Sequence, residues 1–188
     1  MIVVCALPAG GQARNGRREG GTLIRRLKVK KTFPKKSKAY PVARNIKLMA
    51  IIDRCLDRRF RIGHRRLIEE DLGLAPENIV PIKRAGGAGP LRLKKKGWKR
   101  LPKDVRDQLE LFVEEHPEIG CIILINHEDC RRYDKIRKRG ECDRERLDLK
   151  MAVNLVSKKF PNKKVFGYFG EFVNEKRRKV QFRLLAKS

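Results

Sequence analysis

The chain has 188 residues, of which 37% are charged and 40% hydrophobic, and its formal net charge is +26. This length suits one core-forming domain with appendages, and no apolar run approaches the ~20 residues that span a bilayer. Such a charge favours polyanionic partners, with a solvated basic surface as an equal alternative.

The five cysteines, Cys5, Cys55, Cys121, Cys130 and Cys142, do not form a dense disulfide framework. The first residues lack the basic start of a secretory signal, so we expect no such signal. Cysteines in a chain of this kind are more often metal ligands or core residues than disulfide partners. We therefore predict reduced thiols and a cytoplasmic location.

Residues 1–45 form the first predicted segment. They contain a cluster of glycines and many Lys and Arg residues, with Glu19 as the single acid. Basic, glycine-containing segments are typically flexible until they meet a polyanion. The glycines do not fit a phosphate-binding loop, which needs a preceding strand and a Gly-Lys-Ser/Thr ending. We predict an N-terminal arm, followed by an α/β domain over residues 46–188.

Strands and helices alternate along that domain. Short apolar runs predict five strands, at 46–52, 78–82, 119–125, 165–173 and 179–186. Helical spacing predicts three helices, at 63–72, between Pro102 and Pro117, and at 143–159. This alternation predicts an α/β fold, with a central, mostly parallel sheet flanked by helices and an antiparallel strand as an option at one edge.

For the last helix and the last strand, the sequence also predicts which side chains are buried. The last helix has an apolar stripe at Leu147, Met151, Leu155 and Val156. The last strand alternates in a way that directs Val180, Phe182 and Leu184 inward.

Metal-binding side chains follow two of the predicted strands. Cys55 comes after the strand at 46–52, and His127 and Cys130 come after the strand at 119–125. Sites in open α/β sheets form where strands end. Two thiolates and an imidazole can bind Zn²⁺, and a catalytic zinc keeps one further position open.

Asp57 and Arg59 follow Cys55 closely. The carboxylate could be a fourth metal ligand, or it could accept a hydrogen bond from a water on the metal. In the second case Arg59 could hold Asp57 through a bidentate pair. Zinc lowers the pKa of its water toward ~7, so we expect hydroxide to attack a small electrophile such as carbon dioxide.

These stretches resemble a known family. Cys55-Leu-Asp57-Arg-Arg59 is similar to the Cys-x-Asp-x-Arg motif of beta-class carbonic anhydrases, and His127-Glu-Asp-Cys130 is similar to their His-x-x-Cys motif. The Ala-Gly turn after the strand at 78–82 resembles the turn that lines the site in that family. The resemblance covers about residues 46–173 and leaves the basic arm outside.

The resemblance implies a zinc-dependent lyase that converts carbon dioxide to bicarbonate, or acts on carbonyl sulfide or carbon disulfide. It implies Zn²⁺ held by Cys55, His127 and Cys130. It also implies a catalytic Asp57–Arg59 dyad and a homodimer or larger assembly.

The sequence departs from the family directly after Cys130. Arg131 and Arg132 stand where the family typically has a glycine. Their side chains could narrow the pocket or provide an anion-binding group.

Ordinary structural roles are the alternative for the candidate residues. Cysteines at strand ends are commonly buried packing residues, and an Asp–Arg pair is often only a structural ion pair. Other residues are expected outside the site: His64 and His116 at the surface or at caps, Cys121 in the core, Cys142 as an exposed thiol, and Trp98 as an anchor of its basic stretch onto the core.

The positive charge supports a second hypothesis, from another class. The chain would be a nucleic-acid-associated protein that keeps the carbonic anhydrase-like fold, with structural zinc and little activity. Residues 1–45, 91–101 and 131–139 would supply the basic surface. Binding to nucleic acid should then depend on salt and weaken when residues 1–45 are removed.

Overall fold

A sheet of five strands lies at the centre of the computed structural model, which describes residues 46–92, 94–137, 143–173 and 179–188. In chain order the strands are β1 (Ala50–Cys55), β2 (Ile79–Arg84), β3 (Cys121–His127), β4 (Lys164–Phe172) and β5 (Val180–Lys187). They stand in the order β2-β1-β3-β4-β5. All neighbours are parallel except β4 and β5.

Helices cover both faces of this sheet. They are α1 (Arg61–Arg66), which continues as a π-helical turn (Leu67–Asp71), α2 (Lys103–Glu115), α3 (Asp134–Arg137) and α4 (Arg144–Lys159). The buried apolar side chains of α2 and α4 belong to the cluster on one face of the sheet, and those of the π-helical turn belong to the cluster on the other. Because both faces of the sheet are covered here, β3 is apolar over residues 121–125 and β1 is apolar over residues 50–52. The predicted α/β fold class is confirmed.

The strands β1 and β3 lie further along the chain than the sequence predicted. β1 begins at Ala50, because Ile79 of β2 and Cys121 of β3 are the first residues opposite it. As a result Cys55 and His127 are the last residues of their strands rather than loop residues.

The predicted apolar stripe of α4 is wrong at Leu147, which is 52% exposed. The buried face of α4 carries Glu145, Asp148, Leu149, Ala152, Val153 and Val156. Two acids lie on that face, and Asp148 accepts hydrogen bonds there from the backbone N–H of Leu91 and from the hydroxyl of Tyr133. Apolar periodicity therefore pointed to a neighbouring face of the helix.

The predicted inward alternation of β5 fails at Leu184, which is 45% exposed. Leu184 lies opposite Tyr168 in the same register that places Phe182 opposite Gly170, so it faces the same side of the sheet as Phe182. Because β5 is the edge strand, that side is only partly covered at Leu184. The change of register comes after Leu184, between Gly167 and Tyr168 on β4.

Trp98 is the anchor that the sequence predicted. Its indole N–H donates to Glu110 Oε1 at 2.8 Å, and its ring meets Phe160 edge-on at 5.7 Å. Cys121 is half-buried, and His116 lies 3.5 Å from Glu118 at the partly exposed surface.

The predicted arm over residues 1–45, with Cys5, lies outside the described residues, as does Cys142. The arm and the cytoplasmic location stay predictions. Within the described ranges, no helix combines the length and the apolar character that crossing a membrane requires.

Candidate metal centre

The structure brings Cys55, His127 and Cys130 together. Their ligand atoms all lie within 4.8 Å of one another. The two Sγ atoms are 3.9 Å apart. The three residues are 7%, 1% and 5% exposed, so the cluster is screened from bulk water.

Strand pairing explains this convergence. β1 and β3 are adjacent and parallel, so their carboxyl ends, with Cys55 and His127, lie at the same edge of the sheet. Cys130 reaches that edge through a tight turn, in which Asp129 has φ of 55°. The backbone N–H of Tyr133 then donates to the Cys130 carbonyl at 2.8 Å and fixes the turn.

The donor set fits Zn²⁺. Tetrahedral coordination with Zn–S bonds of ~2.3 Å places two sulfurs ~3.8 Å apart, close to the observed 3.9 Å. With its proton on Nδ1, His127 donates to the Glu128 carbonyl at 2.7 Å. Its Nε2 is buried and has no hydrogen-bond partner within the described residues. A fixed tautomer with a free Nε2 is the usual preparation of a metal-binding histidine.

Cys55 has the electrostatic environment of a thiolate ligand. A hydrogen bond from Cys130 lowers the pKa of the Cys55 thiol, and the nearby His127 and the backbone N–H of Gly86 lower it further. Gly86 donates to Cys55 Sγ at 3.3 Å. The same Cys55–Cys130 contact, together with burial, raises the pKa of Cys130.

Asp57 and Arg59 form the predicted bidentate pair. Arg59 Nε lies 3.1 Å from each carboxylate oxygen of Asp57, and Nη2 lies 2.7 Å from Oδ2. The backbone N–H of Arg59 adds a bond of 2.9 Å to Oδ1. These hydrogen bonds lower the pKa of Asp57 to about 2, so the carboxylate is ionised at neutral pH.

Arg59 also contacts the second motif, which sequence reasoning did not foresee. Its Nη1 donates to Asp129 Oδ2 at 2.8 Å, and its Nη2 donates to the Asp129 carbonyl at 2.8 Å. One guanidinium therefore ties the loop after β1 to the turn after β3. The only sequence signal for this contact is that Asp129 lies inside the His-x-x-Cys stretch.

An aromatic group supports the imidazole. Phe60 stacks on His127, with ring centroids 4.1 Å apart, and also contacts Phe172 at 4.9 Å. It directly follows Arg59, but no sequence signal assigned it this role. The stacking limits rotation of the His127 ring.

His64 is not at the surface, so that expectation is wrong. It is fully buried beside Phe60 and Phe182, and neither ring nitrogen has a hydrogen-bond partner among the described residues. Burial, with the charge of Arg54 nearby, lowers its pKa to about 3. Charged neighbours suggested exposure, but His64 shares its helix face with Leu67, three residues on, which is buried.

A cleft of about 510 Å³ opens beside Cys55 and Cys130. Ala85 and Gly86 form part of its wall, as expected for the Ala-Gly turn. Arg131 and Arg132, where the sequence departs from the family, also line the cleft and do not fill it.

No protein-family model matches the chain, and no curated protein matches it. Several solved structures do. A tetrameric beta-carbonic anhydrase from Sordaria macrospora is 13% identical, with 76% of this chain and 83% of that chain covered and a TM-score of 0.46. Isoform I of the Trichomonas vaginalis beta-carbonic anhydrase is 14% identical, with coverages of 79% and 87% and a TM-score of 0.47.

The apo form of a carbon disulfide hydrolase is 13% identical, with 72% of this chain and 79% of that chain covered and a TM-score of 0.44. Two of these three solved structures are beta-carbonic anhydrases, the family that the two motifs resemble.

Proposed function

We propose that Cys55, His127 and Cys130 hold Zn²⁺, and that the chain is a lyase of the beta carbonic anhydrase type. The observation that carries this proposal is the compact Cys₂His cluster with an unpartnered, buried Nε2 on His127. When bound, Zn²⁺ supplies a Lewis acid that makes hydroxide available near neutral pH. Carbon dioxide is the proposed substrate, and carbonyl sulfide and carbon disulfide are the related electrophiles to compare.

Asp57 is the proposed positioning group for the attacking water. Its side chain lines the same cleft as the two cysteines, and its low pKa keeps it a hydrogen-bond acceptor throughout the neutral range. Arg59 fixes the direction of that acceptor through the bidentate pair. Its contacts with Asp129 hold the pair in place relative to the turn that carries Cys130. The resting position of Asp57, turned toward Arg59, supports this role over that of a fourth ligand.

Stopped-flow hydration of carbon dioxide tests the activity. Zinc-loaded wild-type protein should accelerate the pH change above the buffer rate, and Asp57→Asn should slow it by 10-fold or more while keeping its zinc. Glu69→Gln, which removes an acid outside the cleft, is the matched control and should leave the rate unchanged. If zinc-loaded protein accelerates the conversion of neither carbon dioxide, carbonyl sulfide nor carbon disulfide, the lyase proposal is wrong. The proposal that the site binds zinc would not be affected.

A homodimer or larger assembly is part of the proposal. Leu56, which lines the cleft, is 61% exposed. Ile62, three residues after the cleft-lining Arg59, is 72% exposed. Large apolar side chains at a surface favour contact with another protein. Light scattering should give at least twice the mass of 21.8 kDa; a monomer at micromolar concentration would contradict this part.

Binding to a polyanion is the second candidate function. Within the described residues, five cations of the basic stretch are exposed and have no acidic partner: Arg92, Lys94, Lys95, Lys96 and Lys99. Trp98 is engaged with Glu110 and Phe160, so base stacking on it is not part of the candidate. RNA affinity should fall steeply with salt and fall again on removing residues 1–45. Unchanged affinity in that truncation would count against it.

A further inference from the structure

The cleft beside the Cys₂His cluster is strongly positive. Four arginines and one aspartate line it, a formal excess of three positive charges. Two thiolates with Zn²⁺ would add no net charge. Concave surfaces of one sign focus the electric field and concentrate anions.

Three of these arginines have no acidic partner in the part of the chain that the structure describes: Arg58, Arg131 and Arg132. Arg59 differs, because Asp57 and Asp129 already occupy its guanidinium. The three others are exposed side chains at one opening. Their N–H donors are therefore available to a ligand rather than committed to the fold.

The backbone that carries Arg131 and Arg132 is well anchored. They belong to the 3₁₀ turn Arg131–Tyr133, and Tyr133 is 1% exposed. The hydroxyl of Tyr133 donates to the buried Asp148 at 3.2 Å. A tyrosine fixed in this way holds the backbone of the two arginines in a constant place.

The stem of Arg132 also packs on the wall of the cleft. A Cβ built on Gly86 would come within 2.9 Å of Arg132 Cγ, so the aliphatic chain lies directly on the Gly86 turn. Gly86 itself donates to Cys55. Arg132 therefore contacts Gly86, which in turn contacts Cys55 of the candidate metal cluster. This places Arg132 at the opening through which a substrate would pass.

The size of the cleft indicates a ligand larger than carbon dioxide or bicarbonate. Clefts of 300–1,000 Å³ typically hold ligands of metabolite or drug size, and this one measures about 510 Å³. The planar fork of an arginine matches the oxygens of a phosphate group, and several forks around one opening suit a dianion better than a monoanion.

We propose that the cleft beside the Cys55–His127–Cys130 cluster binds a small molecule bearing a phosphate group, held by Arg58, Arg131 and Arg132. The binding does not depend on the proposed zinc or on the proposed lyase activity. It assigns a role to the arginines that replace the usual glycine after Cys130.

Isothermal titration of the full chain with inorganic phosphate, and separately with pyrophosphate, tests the site at constant ionic strength. We expect saturable binding at one site per chain, tighter for pyrophosphate. Arg131→Ala/Arg132→Ala should weaken it by 10-fold or more. The matched control is Lys150→Ala/Lys158→Ala, which removes two exposed cations of α4 and should change affinity less than twofold. Melting temperature and zinc content of both variants check that each is folded and carries metal as the wild type does.

Three outcomes would overturn the proposal. One is the absence of saturable binding. Another is equal weakening in both double variants, which means attraction by net charge alone. The last is unchanged affinity in Arg131→Ala/Arg132→Ala, which places the anion elsewhere, including on a bound metal. A single-stranded RNA oligomer that loses affinity in this variant while phosphate and pyrophosphate do not bind would replace the small-molecule site with a nucleic-acid surface.

Discussion

Arg59→Gln removes the guanidinium that joins the two motifs while keeping a polar side chain. The lowered pKa of Asp57, from 3.8 to about 2, corresponds to about 2.5 kcal/mol of folding free energy. The Arg59 side chain is 36% exposed, so solvent screening reduces this to about 1–2 kcal/mol. Loss of the two hydrogen bonds to Asp129 adds about 1 kcal/mol. The expected loss of stability is about 2–3 kcal/mol at pH 7.

The effect should depend on pH in a defined direction. The pKa of Asp57 is lower in the folded chain than in the unfolded chain, so its contribution is present above pH ~4 and is lost as pH falls through about 2. At pH 3 roughly half of the Asp57 contribution should remain. Urea denaturation of wild type and variant at pH 7 and pH 3, with a chelator to exclude metal, measures both differences.

Arg65→Gln is the matched control for this prediction. Arg65 pairs with Glu69 at 2.8 Å, but its side chain is 75% exposed. Exposed pairs of this kind contribute little to stability, so Arg65→Gln should cost much less than Arg59→Gln. If Arg59→Gln costs no more than Arg65→Gln, or costs as much at pH 3 as at pH 7, Arg59 is not the structural link between the two loops.

Further substitutions test other parts of the structure by urea denaturation. Gly86→Ala should cost about 3 kcal/mol, because φ is 93° and the new Cβ would lie 2.7 Å from the Gly89 carbonyl; Gly73→Ala, with φ of 62° and open space around it, should cost about 1 kcal/mol. Leu149→Ala should cost about 2–4 kcal/mol and Leu147→Ala less than about 0.5, and equal losses would contradict the described face of α4. The pKa of His64 is about 3 when folded and 6.5 otherwise, so the unfolded chain takes up a proton as pH falls below 6.5. Wild type should therefore lose about 2 kcal/mol relative to His64→Leu between pH 7 and pH 5, and a constant difference would refute its buried, neutral state.

The convergence of Cys55, His127 and Cys130 could be predicted from the sequence because the signals for it are local. An apolar run followed by Cys55, and another followed by His127 and Cys130, indicate strand ends, and parallel strands bring their carboxyl ends to one edge. The sequence alone did not show that β1 and β3 are neighbours in the sheet. In the structure they pair directly and in parallel. The Asp57–Arg59 pair was predictable for the same reason, since a single residue separates its members.

The features that sequence reasoning missed depend on distant contacts. The exposure of Leu184 follows from incomplete cover on one side of the edge strand β5, which no pattern within β5 reveals. The buried face of α4 includes Asp148 because Leu91 and Tyr133 provide its hydrogen bonds. The link from Arg59 to Asp129 spans 70 residues. Each of these features depends on tertiary packing, which local sequence patterns do not report.

Metal analysis of protein purified without added zinc tests the proposed site at Cys55, His127 and Cys130 directly. We expect about one zinc per chain in the wild type, its loss in His127→Ala, and its retention in His116→Ala, a control histidine that lies outside the cluster. Well-folded, reduced wild-type protein that contains no zinc and takes up none on titration would contradict the assignment of Cys55, His127 and Cys130 as a metal site.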